Sequence, residues 1–127
     1  MDAMFGFTKV WEIHDRTESE YFVSLLAFQE NGTFCCAVGW YLSEWYLTFT
    51  GTYETQGPEI ILRYTIDGKT YTTSYEVDWD NRILTQTSEA TLTAAHPIGT
   101  AYPLEENQWY TAETFLKKIN GLHKESA

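Results

Sequence analysis

Eight lysines and arginines, two cysteines and three prolines are few for a chain of 127 residues, and each shortage excludes something. Against eighteen Asp and Glu, the eight cations leave a formal charge of -10. Binding a phosphate backbone requires clustered Lys and Arg, and no such cluster occurs. The balance therefore predicts neither a nucleic-acid partner nor docking on anionic lipid; it serves solubility. Cys35 and Cys36 are adjacent. On a strand they face opposite ways and cannot easily bond each other, and there is no third cysteine. They read as small buried hydrophobes in a reducing cytoplasm.

No run approaches the roughly 20 apolar residues that span a bilayer, so no membrane span is expected. Met1-Asp2-Ala3-Met4-Phe5 offers neither a basic segment nor a long apolar one, which predicts a cytoplasmic chain without a secretory leader. The length suits one domain over residues 1–127. A chain of this size buries about two thirds of the surface its unfolded form exposes, so it needs neither disulfides nor metal to hold together.

Rings are what the sequence has in abundance: five Trp, nine Tyr and seven Phe. Since each buries roughly 150–250 Å², they should dominate the core. The stretch VGWYLSEWYLTF, residues 38–49, carries two Trp-Tyr doublets. A half-buried strand alternates apolar and polar residues, whereas a doublet places a ring on both faces.

Runs rich in Val, Ile, Thr and aromatics recur along the chain. They predict strands near Phe5–Ile13, Glu20–Gln29, Thr33–Tyr41, Trp45–Glu54, Glu59–Ile66, Thr70–Trp79 and Arg82–Thr93. Asn31-Gly32, Gln56-Gly57-Pro58, Asp67-Gly68 and Asp80-Asn81 are hairpin connectors, whose residues tolerate positive φ. Such short links join only antiparallel neighbours. Residues 94–108, with Pro97, Gly99 and Pro103, read either as a long loop or as a Pro-interrupted edge strand. TAETFLKKINGL reads as a helix over about 111–121, capped by Thr111 and stopped at Gly121. Phe115, Leu116, Ile119 and Leu122 form its apolar stripe. The fold expected is all-β: an up-and-down meander of about eight strands closing into a barrel, with one C-terminal α-helix. Strands two and three are apolar on both faces, so the helix or a partner chain should cover their outer side.

Residues 51–84, GTYETQGPEIILRYTIDGKTYTTSYEVDWDNRIL, show Gly51-Thr52-Tyr53, a Gly57 turn, Ile60 and Leu62, the Asp67-Gly68 hairpin, Tyr75 and Leu84. With FQENGTF at 28–34, this pattern resembles small bacterial lipocalin-like proteins of the calycin group. The resemblance implies a closed barrel with a ligand space inside. The Gly-x-Trp usual in the first lipocalin strand is missing, because Gly6 and Trp11 stand too far apart.

Motifs of catalysis are absent. No nucleophile elbow or phosphate-cradling loop occurs, and no two of His14, His96 and His123 have metal-ligand spacing. The sequence thus favours a non-catalytic protein with no metal and no cofactor. Alternation places Trp45, Phe49, Tyr53, Leu62, Tyr64, Tyr71, Tyr75 and Gln86 inside the barrel. Apolar walls with sparse orienting polar groups suit a small apolar or aromatic ligand. A filled barrel has the same composition. In that alternative the protein is an interaction module, and Phe22, Trp40, Tyr41 and Tyr46 hold a partner or a second copy of the chain as a homodimer. Arg63 and Arg82 would meet an anionic ligand group only if they turn inward.

Overall fold

A computed structural model describes residues 9–16, 21–40, 45–92 and 96–126. Eight strands follow one another: β1 (Lys9–Arg16), β2 (Tyr21–Phe28), β3 (Thr33–Trp40), β4 (Trp45–Gln56), β5 (Glu59–Ile66), β6 (Lys69–Asp78), β7 (Ile83–Gln86) and β8 (Ala101–Thr111). Among the described residues one helix, α1 (Ala112–Ser126), follows the strands. Every strand pairs antiparallel with the next, and β8 returns to β1, so the meander closes into a barrel as expected. Asp67 and Gly68 at the β5–β6 turn have φ of 52° and 79°, the left-handed pair that a two-residue hairpin requires.

Strands β1 and β4 run past their expected ends, to Arg16 and Gln56, and the largest differences from the sequence expectation lie at two other boundaries. The seventh strand stops at Gln86 rather than running to Thr93, and the Pro-rich segment supplies the closing strand β8. Pro103 sits opposite Ile83 in that strand. The helix also runs through Gly121 to Ser126, so that glycine does not stop it. Its start is as expected: the Thr111 hydroxyl accepts from the Thr114 amide at 3.2 Å, and the Thr114 hydroxyl accepts from the Thr111 amide at 3.0 Å. The expected start of the first strand, Phe5 to Thr8, lies outside the described residues.

Two apolar layers result. The inner one gathers Trp11, Leu26, Phe28, Phe34, Phe49, Ile60, Leu62, Tyr64, Tyr75 and Leu104, among others. The second lies outside the sheet: Val10, Leu25, Ala27, Cys35 and Ala37 against Ala112, Phe115 and Ile119 of α1. The helix therefore packs over β8, β2 and β1, and the outer side chains of β3, Cys35 and Ala37, join the same apolar cluster, which accounts for strands apolar on both sides. Glycine is obligatory at one inner crossing. A Cβ on Gly51 would stand 2.2 Å from the Arg63 carbonyl oxygen and 2.8 Å from the Phe34 ring.

Alternation misplaces Trp45. Val38 pairs with Leu47 but Gly39 pairs with Trp45, so one extra residue bulges out of β4. A bulge reverses which face the following side chains take. Trp45 consequently leaves the interior and lies on the outer cluster, with its ring 5.3 Å from Phe115 and 5.7 Å from Tyr110. The Lys118 ammonium sits 4.8 Å from the same ring. Leu47 and Phe49, beyond the bulge, stay inward. Phe22 is not part of an outer patch either. It is buried, and it shares the alternation of Ser24, Leu26 and Phe28. The side chains of Trp40, Tyr41 and Tyr46 lie outside the described residues.

Candidate functional site

The other seven proposed lining residues come together inside the barrel. Phe49 stacks on Tyr64 at 4.6 Å, and Tyr64 on Tyr71 at 5.6 Å. Tyr53 meets Phe28 edge-on at 4.8 Å and donates to the Gln29 carbonyl at 3.0 Å. Leu62, Tyr75 and Gln86 are fully buried.

What fills the space between them is the chain itself. After β7 the chain keeps one backbone contact to β6, at Thr87, and then leaves the sheet and turns back over the barrel through residues 88–92. Leu92, 4% exposed, joins the inner cluster. Its amide donates to the Tyr75 hydroxyl at 3.1 Å, and its carbonyl accepts from the Ser24 hydroxyl at 3.2 Å. The Tyr64 hydroxyl donates to the Thr91 carbonyl at 3.3 Å and contacts the Thr73 hydroxyl at 2.8 Å. The Gln86 amide group donates to the carbonyls of Ser88 and His96, each at 2.7 Å. Thr87 still donates its amide to the Ser74 carbonyl of β6 at 3.0 Å; further on, the buried backbone groups of residues 91 and 92 must be satisfied elsewhere, and interior side chains do so.

A second polar chain continues from Gln86. Its side-chain oxygen accepts from the Tyr102 hydroxyl at 2.7 Å. The Tyr102 ring lies 6.0 Å from the His96 ring, and His96 Nε2 is 2.9 Å from the Asp15 carboxylate. Asp15 is 2% exposed, while the His96 side chain beside it is partly open to solvent. Burial, and secondarily the Asp15 charge, pushes the Tyr102 hydroxyl up to about 12. Burial likewise raises Tyr75 and Tyr64. These hydroxyls stay protonated at neutral pH and act only through hydrogen bonds.

On the outer face a different group of side chains meets, and sequence spacing did not reveal it. Glu12 and His14 alternate onto the same side of β1, and Glu105 of β8 sits opposite Glu12. His14 Nε2 lies 2.8 Å from a Glu12 oxygen and 2.8 Å from a Glu105 oxygen. Asn107 donates to the second oxygen of Glu12, while its own carbonyl oxygen accepts from the Trp109 and Tyr110 amides. Burial pushes the Glu12 carboxyl up, but the His14 and Asn107 hydrogen bonds outweigh it and hold its pKa below the usual carboxylate value. Beside this group runs an open groove of about 680 Å³, whose walls include Glu12, Arg82, Glu105 and Trp109. Trp109 is 72% exposed there.

The two arginines do not turn inward. Arg63 pairs with Glu54 at 2.7 Å on the exposed surface. Arg82 lies over the rings of Trp11 and Trp79 at 5.4 and 5.5 Å. Among the described residues, no helix is long and apolar enough to cross a membrane.

The site belongs to a closed eight-stranded antiparallel barrel with one covering helix. No protein-family model matches this chain, nor does any curated protein or solved structure.

Proposed function

We propose that this protein binds a small apolar or aromatic molecule inside its barrel, without catalysing a reaction, and that residues 87–92 hold the space until the ligand arrives. One observation carries the reading. Leu92 is the sole fully buried side chain of that segment, and the segment is otherwise tied to the wall by hydrogen bonds. Burying one leucine contributes about 1.5–3 kcal/mol. An aromatic ligand that buries roughly 200 Å² gains about 5 kcal/mol at the same coefficient. That difference favours the ligand provided that it or water remakes the hydrogen bonds that Ser24, Tyr64 and Tyr75 give up with residues 91–92. On displacement, the Tyr64 and Tyr75 hydroxyls and the Gln86 amide become available to orient it. Phe49, Tyr53, Leu62 and Tyr71 supply the apolar walls. An eight-stranded barrel is the size that accepts one small ligand. The resemblance of residues 28–84 to lipocalin-like proteins agrees with this reading.

The test is a titration with an environment-sensitive hydrophobic fluorescent probe. Micromolar, saturable binding is expected, tightened by Leu92→Ala, which vacates the competing volume, and weakened by Tyr75→Ala. If neither the natural chain nor Leu92→Ala takes up the probe, the proposal is wrong.

A further inference from the structure

The Glu12, His14 and Glu105 cluster does not belong to the barrel interior, and it stands independently of the ligand reading above. The candidate atoms of all three lie within 4.8 Å of one another. We propose that these side chains bind a divalent transition-metal ion, with zinc the best fit, at the edge of the outer groove.

Three features of the geometry lead there. First, one ring nitrogen faces two carboxylate oxygens at 2.8 Å each. An Nε2 carries at most one hydrogen, so as a donor it cannot serve both oxygens well, and the oxygens repel one another. A cation between the three atoms satisfies all of them: the histidine offers a lone pair and each carboxylate a charge. Imidazole and carboxylate together are a donor set suited to zinc, which binds such ligands at about 2.0–2.2 Å.

Second, the donors are held from behind. His14 is 1% exposed. Glu12 has its far oxygen fixed by Asn107, itself 6% exposed and anchored by two backbone amides. Such outer hydrogen bonds orient metal ligands and raise affinity. The Glu105 side chain is 55% exposed, so it has the freedom to close on an ion.

Third, there is an entry path and an open side. Glu12 and Glu105 both line the groove of about 680 Å³. His14 stands behind them, so an ion held by the three would keep its open coordination position on the groove side, for water or for a groove-bound molecule. Arg82, on the same groove, adds a positive wall for an anionic one.

The spacing of histidines alone conceals this site, since it has a single histidine. The readable trace is Glu-x-His on one strand, which sets both side chains on the same face. Glu105 comes from β8, whose register the prolines obscured.

The experiment is isothermal calorimetry of the full chain with Zn²⁺, paired with the visible ligand-field spectrum of Co²⁺. One equivalent of metal should bind in the micromolar range or tighter, and Co²⁺ should give absorption bands typical of low coordination number. Glu105→Gln, on an exposed side chain, should keep the fold and weaken binding about tenfold or more. His96→Asn should leave binding unchanged, which separates this cluster from the Asp15–His96 pair. His14→Gln should abolish binding; if that variant fails to fold, Glu105→Gln and Glu12→Gln decide the matter. Absence of saturable binding, or equal affinity in Glu105→Gln, overturns the assignment.

Discussion

The backbone amide of Leu92 donates to the hydroxyl of Tyr75 at 3.1 Å, seventeen residues away in sequence and inside the barrel. This contact joins a segment that left the sheet to the strand that lines its wall. Tyr75→Phe keeps the ring and removes the acceptor, leaving a buried amide unsatisfied. The expected loss of stability is about 1–3 kcal/mol, measured by chemical denaturation. No loss would mean that the amide finds another partner and that the contact does not hold the segment.

Gly51 marks a close crossing of β4 with β5. Its missing Cβ would overlap the Arg63 carbonyl and press on Phe34 and Tyr64. Gly51→Ala should cost about 1–3 kcal/mol or more, because backbone cannot yield as a flexible side chain does. Denaturation midpoints of the variant and the natural chain measure the difference.

Phe115 is fully buried between α1 and the outer sheet face, edge-on to Trp45. Phe115→Ala should cost about 3–5 kcal/mol. The same variant should shift Trp45 fluorescence toward that of a wetter indole. A spectrum and stability that do not change would show that the helix is not seated on that face.

Burial raises Cys35 to about 11 and Cys36 well above its ordinary value. Tyr102 stands at about 12, and Tyr75 and Tyr64 are raised as well. In the unfolded chain these groups ionise near 9 for thiols and 10 for phenols. The native state therefore binds more protons than the unfolded state at alkaline pH, and stability falls as pH rises. Stability from these groups should be complete below about pH 9 and lost progressively through 11 and 12. Denaturation midpoints across that range check it. For the same reason both thiols should react with a thiol reagent at neutral pH only when the chain unfolds.

Much of the fold was legible in the sequence. Strict alternation in Ile60, Leu62 and Tyr64, and the Asp67-Gly68 turn, specify β5 and β6 without tertiary information. So do Thr111 at the helix start and the double-faced apolar strands that the helix covers. What failed has local physical causes. The bulge at Trp45 reverses a face with no glycine or proline beside it on β4 to signal it; the glycine there, Gly39, stands on the partner strand β3. The stretch after Gln86 has strand-like composition, and the polar side chains of Ser24, Tyr64, Tyr75 and Gln86 inside the barrel, together with burial of Leu92, make its inward path favourable. The outer cluster joins β1 to β8 across more than ninety residues (Glu12 with Asn107), which no local pattern records.

Residues 87–92 are proposed to occupy the ligand's place, and amide hydrogen exchange reads that directly. The Leu92 amide should exchange slowly in the free protein, and its protection should fall when a saturating hydrophobic probe is added. Rapid exchange without the probe, or protection that a bound probe leaves unchanged, would contradict it.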